Sequence, residues 1–277
     1  MEPSPLRPPK GSCPVSSQPP DDERQARHIR SYVLRRSHFS SAQRDAYERL
    51  MPTIGVPFSR QLLDLPAIFG RNAPTILEIG FGMGDTTAEI AASHPEQDYL
   101  GVEVHTPGVG ALLKLVEARG LRNVRVIEHD VQDVLDHQLP DGYLTGIHVF
   151  FPDPWPKARH HKRRLVQKQL VTKLHKKLRR GGYLHLATDW PDYAEQMIEA
   201  VDAVPGLRRD PAADDSPFAP EGPAQDAAPA SIQVPRPSRP ATRFEQRGLR
   251  LGHPICDIYA VKLADPELQQ TETEPGR

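Results

Sequence analysis

TILEIGFGMGD, residues Thr75 to Asp85, decides the fold. The apolar run TILEIG (75–80) reads as a buried strand closed by a glycine. Gly80, Gly82 and Gly84 let the backbone turn tightly and leave room for a ligand above the turn. A helix follows, to about Ser93. Such a loop lies at the carboxyl end of its strand, where doubly wound sheets bind ligands.

The alternation continues outward from this loop. DYLGVEV (98–104), NVRVIEHD (123–130), part of GYLTGIHVFF (142–151), YLHLAT (183–188) and ICDIYAVKL (255–263) read as strands. Val109, Leu112, Leu113 and Val116 follow helical spacing and predict a helix that stops at Gly120. A long helix is predicted from about Arg163 to Arg179, and another in PDYAEQMIEAVDAV. Strands alternating with helices argue for a parallel, doubly wound α/β sheet.

The flanks differ in composition. By composition residues 1–25 read as a disordered Pro-rich tail, and 26–60 as a basic segment with scattered aromatics, expected to be helical toward its end. The main domain spans 61–263, with a disordered insert at 211–240 rich in Pro, Ala and Asp. Residues 264–277 form a second tail. The N-terminal stretch has no apolar core and does not read as a signal peptide, and no apolar run is long enough to span a bilayer. The two cysteines, Cys13 and Cys256, have no CxxC partner, which argues against a zinc site or disulfide framework and fits a reducing cytoplasm.

The ligand follows from the glycine spacing. A dinucleotide fingerprint is G-x-G-x-x-G, whereas this loop is G-x-G-x-G followed by Asp85. An acid at the helix N-terminus repels phosphate but tolerates an ammonium and a sulfonium, so S-adenosylmethionine suits the loop better than NAD. Glu78 precedes the loop. Glu103 ends the second strand, where an acid accepts from ribose hydroxyls, and Asp130 follows the third, where it can hold an adenine amino group.

A second motif, FFPDPWPKARHHKRR (150–164), leaves the fourth strand at the same rim. Pro152, Pro154 and Pro156 stiffen a loop that carries Asp153 and Trp155. Trp155 can stack on a base. From Lys157 to Arg180 there is no acidic residue. Val166, Leu170, Val171, Leu174 and Leu178 share one helical arc, with most of the basic residues opposite. A cationic face beside the ligand rim reads as an RNA phosphate track. His160 and His161 lack a nearby ligand set, so no metal is implied.

With these residues in view, the chain resembles the bacterial tRNA (guanine-N7)-methyltransferase family. EIGFGMGD, GVEVH, FPDPWPK with RHHKRR, ATDW at 187–190 and TRFEQRG at 242–248 carry the likeness, and RSYVLRRSHFSSAQ at 31–44 adds to it. It covers roughly residues 30–263 apart from the insert, which is longer than the family needs. The resemblance implies a Rossmann-like class I methyltransferase sheet, mostly parallel with an antiparallel C-terminal strand. It implies Glu78, Glu103, Asp130 and Asp153 at the methyl-donor site, with Asp153 at the catalytic centre. Lys157, Asp189, Thr242, Arg243, Phe244 and Glu245 would bind substrate. Arg159, His160, His161, Lys162, Arg163 and Arg164 would contact RNA. The substrate would be a guanosine in the tRNA variable loop, with no membrane and no obligatory protein partner. Two rivals stand beside this reading, an NAD-dependent dehydrogenase and a non-catalytic RNA-binding protein on the same fold.

Overall fold

The computed structural model describes residues 32, 38–209, 240, 242–250 and 252–263; both expected tails, and the insert up to residue 239, lie outside these. Among the described residues, the strands β1 (Thr75–Ile79), β2 (Asp98–Glu103), β3 (Val124–Glu128), β4 (Leu144–Phe150), β5 (Leu178–Thr188), β6 (Leu207–Arg209) and β7 (Cys256–Lys262) build one sheet. Its order is β3–β2–β1–β4–β5–β7–β6. β1 runs parallel to β2 and β4, β2 to β3, and β4 to β5, whereas β7 is antiparallel to β5 and β6.

The helices are α1 (Ser41–Ile54), α2 (Leu65–Phe69), α3 (Asp85–Ser93), α4 (Thr106–Arg119), α5 (Val131–His137), α6 (Lys168–Lys177), α7 (Pro191–Asp202) and α8 (Arg243–Arg250). Every residue of β1 and β2 is buried, because helices cover both faces of the sheet. Leu77, Ile79, Val102, Ile147 and Val149 join the core on one face. Ile76, Tyr99, Val124 and Val126 join the core on the other, against Val109, Leu112, Leu113 and Val116 of α4. As its spacing predicts, α4 ends at Gly120, which takes the left-handed conformation at φ 62°.

The described part of the basic segment, from residue 38, packs against this core through α1. A capping box starts α1: Ser40 Oγ accepts from Gln43 N, and Gln43 Oε1 accepts from Ser40 N. The Tyr47 hydroxyl then donates to Glu128 Oε2 at 2.6 Å, and Arg49 pairs with Glu117 of α4.

The long helix expected over 163–179 is a correction. Residues Ala158–Arg163 form a 3-10 turn, the chain then runs extended, and α6 covers only Lys168–Lys177. Tertiary partners override the helical spacing between these pieces. Val166 N donates to the Tyr193 hydroxyl, and Gln167 Nε2 donates to the carbonyls of Lys162 and Arg164. Beyond α6, Leu178 already pairs with Leu144 across an irregular register, so β5 begins five residues before the expected Tyr183.

Candidate active site

The loops that leave β1, β2, β3 and β4 converge on a cavity of about 310 Å³. Gly80, Gly82 and Gly84 all line it and all have positive φ, between 58° and 76°. Nothing lies within 4 Å of the place a Cβ would take on Gly80 or Gly82, so these residues keep the cavity open. Gly84 serves packing instead: a Cβ there would stand 2.6 Å from Leu112 Cβ, so its absence lets α4 close in.

Glu103 braces this loop. Its Oε2 accepts from Gly82 N at 2.9 Å, and its Oε1 accepts from Val104 N at 2.7 Å and His105 N at 3.1 Å. Oε1 is saturated by its two amides, and Oε2 keeps a second lone pair for a ligand. Burial raises the Glu103 carboxyl above its ordinary value, and these three amides oppose the shift. Glu78 sits deeper, 3% exposed, with Oε2 buried and without a hydrogen-bond partner. Burial pushes it up to about 7, with the Glu103 charge adding to the effect. Asp130 caps α5 by accepting from Gln132 N at 2.9 Å through Oδ1 and also lines the cavity.

The lining is strongly anionic. Glu78, Asp85, Glu89, Glu103, Asp130 and Asp153 face the cavity, and no Lys or Arg among the described residues does. A pyrophosphate would find no cationic partner on these walls. A ligand carrying an ammonium, a sulfonium and sugar hydroxyls fits them: the orphaned Glu78 oxygen suits the ammonium, and the space over Gly80 and Gly82 admits the body of the molecule. These residues therefore suit S-adenosylmethionine.

Asp153 is exposed and stands on the cavity rim, within the loop that leaves β4. Phe151 and Trp155, each followed by a proline, take positive φ of 50° and 44°. Bulky side chains rarely adopt that conformation, which costs about 1–3 kcal/mol per residue. The stiffness expected of three prolines is thus accompanied by strain on both sides of Asp153. The Arg163 guanidinium lies 4.0 Å from the centre of the Trp155 ring, and His160 meets the same ring edge-on at 5.8 Å. One face of the indole is therefore occupied by Arg163.

The expected RNA residues divide. Lys157, Arg159 and Lys162 are exposed on or beside the 3-10 turn. His161 Nε2 lies 3.5 Å from Asp192 Oδ2. Arg164 departs from that expectation: it is 2% exposed, and its guanidinium donates to Pro154 O, Gln196 Oε1 and Asp192 Oδ2 at 2.7–2.9 Å, so these donors are engaged within the protein. The cationic face of α6 is also less bare than the sequence suggests. Lys173 pairs with Asp136 at 2.7 Å and Lys177 with Asp141 at 2.6 Å.

The remaining expected residues gather on α8 and beside β5. Thr242 lines the cavity and forms a capping box with Glu245: Thr242 Oγ1 accepts from Glu245 N at 3.0 Å, and Glu245 Oε2 accepts from Thr242 N at 3.2 Å. The side chains of Arg243 and Phe244 lie outside the described residues. Asp189 does not line the cavity; α8 packs on it through Gly248, where a Cβ would come within 3.0 Å of Asp189 Cβ. Sequence reading missed Tyr32, Met83 and His129 in the cavity wall. Tyr32 lies in the basic, aromatic segment and His129 precedes Asp130, but neither position announces the contact.

A family model described as "Putative methyltransferase" matches residues 72–258. A tRNA (guanine-N(7)-)-methyltransferase of Nitrosospira multiformis is 55% identical over 84% of this chain and 93% of its own length. The protein of the same name from Nitrosomonas eutropha is 51% identical over 90% of this chain and all of its own. That from Paraburkholderia xenovorans is 48% identical over 92% of each. Among solved structures, the aminoglycoside resistance methyltransferase NpmB1 is 15% identical at a TM-score of 0.46, covering 73% of this chain and 95% of that one. On the strength of its sequence relatives, this chain belongs to the tRNA (guanine-N7)-methyltransferase family.

Proposed function

We propose that this chain methylates N7 of a guanine in the variable loop of tRNA, in the cytoplasm and without an obligatory protein partner. The observation that carries the reading is the juxtaposition of an anionic cavity with an exposed cationic turn, on either side of the loop that bears Asp153. No helix among the described residues is long and apolar enough to cross a membrane.

S-adenosylmethionine, when bound, supplies an electrophilic methyl group on a sulfonium. Glu78 would hold its ammonium, Glu103 its ribose hydroxyls and Asp130 its adenine amino group. Guanine N7 is an acceptor with a free lone pair and no proton, so the protein needs no general base. What remains is to align the two reactants and stabilise the positive charge that develops on the purine. Asp153 is the catalytic residue of this account: a fixed carboxylate at the rim, orienting the guanine and countering that charge. Asp189, Thr242, Arg243, Phe244 and Glu245 would support the base from the β5 and α8 side. Lys157, Arg159, His160, His161, Lys162 and Arg163 would hold the backbone.

A tRNA transcript carrying 7-deazaguanosine at the variable-loop guanosine tests the target atom. This base keeps its Watson–Crick edge and lacks only N7. The expected outcome is unchanged tRNA binding with no methyl incorporation. Incorporation at the normal rate would place the methyl elsewhere and overturn the proposal.

A further inference from the structure

Arg164 leads the largest side chains that are fully buried, and it belongs to neither the cavity lining nor the exposed surface. A guanidinium taken out of water survives only where its donors are satisfied. Here Nε donates to the Pro154 carbonyl at 2.9 Å. The two terminal nitrogens donate to Gln196 Oε1 at 2.8 Å and Asp192 Oδ2 at 2.7 Å, both on α7. The group also lies over the Tyr193 ring, 4.8 Å from its centre. Arg164 thus ties one carbonyl of the Asp153 loop to the helix behind it.

That carbonyl is the residue after Asp153. On its two sides stand Phe151 and Trp155, both in a conformation that a residue before proline avoids. A backbone strained in this way persists only where its surroundings over-determine it. Phe151 N is fixed by Ala187 O at 2.8 Å, Trp155 is covered by Arg163, and Arg164 holds the loop between them at Pro154 O.

We propose that Arg164 is a positioning residue for methyl transfer: it clamps the Phe151–Trp155 loop at Pro154 and so aims Asp153, and it is not an RNA contact. The inference rests on the reading of Asp153 given above. Asp192 is half exposed, so removing Arg164 leaves its carboxylate in water, and the loop is what loses its anchor.

The test is a double-mutant cycle of Arg164→Gln and Asp153→Asn, with steady-state kinetics on tRNA and tRNA affinity measured against salt. Arg164→Gln is expected to lower kcat about tenfold or more, because small misplacements of a catalytic group are costly. S-adenosylmethionine affinity and the salt slope should stay as in the wild type. In the Asp153→Asn background the same change should cost less than about twofold further, since both substitutions disable one group. A normal kcat in Arg164→Gln, beside a crippled Asp153→Asn, overturns the clamp alone. Effects that multiply independently do the same, as does a salt slope lowered by about one unit with kcat intact. Full turnover in Asp153→Asn overturns the Asp153 reading first and this inference with it. If Arg164→Gln does not fold, Asp192→Asn loosens the clamp from its exposed end. A kcat about threefold lower is then expected for a weakened charge pair, and an unchanged one refutes the clamp.

Discussion

Asp153 and Glu78 are both carboxylates at one cavity, and their surroundings give them different work. Asp153 is exposed, on a strained loop at the rim where a base would arrive. Replacing it with Asn keeps the shape and removes the charge; kcat should fall about a hundredfold, as when one preorganised electrostatic group is lost, with tRNA affinity little changed. An Asn variant at full speed would refute the electrostatic role. Glu78 is buried, and burial lifts it from 4.5 to about 7. Between those values the folded chain keeps a proton that the unfolded chain has released, so the stabilisation is full below 4.5 and is lost as pH rises through about 7. Glu78→Gln removes this dependence. Without ligand, the Tm of the variant minus that of the wild type should climb across this window and level off above it. A flat difference would mean that Glu78 titrates as an ordinary carboxyl. A cationic ligand stabilises the ionised form, so the wild type should bind S-adenosylmethionine more tightly as pH rises toward 7, and the variant should lose that trend.

At the scale of elements, the 3-10 turn and α6 share one basic run in sequence but not one role. Reversing Arg159 and Lys162 should weaken tRNA binding and flatten its salt dependence, by at most about one log-log unit per lost phosphate contact. Reversing Lys173 and Lys177 should leave the slope unchanged, because Asp136 and Asp141 already match those charges. A wild-type slope after reversal of Arg159 and Lys162 would remove the turn from the interface. The contrast also marks what a sequence can reveal. β1 to β4, most of β5 and α4 are legible because burial demands apolar runs in the strands and an apolar period in the helix. The span 163–179 is misread for the same reason. Val166 and Leu178 keep the helical spacing and are buried, yet they lie outside the helix, held by Tyr193 and Leu144. Arg164 reads as one more cation because its partner Asp192 is 28 residues away. The glycine loop and the acids at the strand ends are legible because the fold puts every strand's carboxyl end on one side. The short β6 carries no comparable pattern, whereas the T-x-x-E spacing of Thr242 and Glu245 is itself a helix-start signal.

Over the whole molecule the formal net charge is only −1, and the arrangement of charge matters more than its sum. Six acidic side chains line the cavity, and Lys157, Arg159 and Lys162 stand exposed beyond the Asp153 loop. Such a separation lets one rim receive a cationic small molecule and an anionic polymer without either occupying the other's place. The glycine loop, the strand ends and the PDPW loop meet only because β1 lies between β2 and β4 at the centre of the sheet. This geometry fits one reaction, methyl transfer to a guanine of tRNA. Its most direct test is methyl transfer from labelled S-adenosylmethionine into unmodified tRNA transcripts by the full chain, with the modified nucleotide mapped by chain cleavage. The expected product is a single 7-methylguanosine, in the variable loop. Label at another base, or no label although tRNA and S-adenosylmethionine both bind, would contradict it.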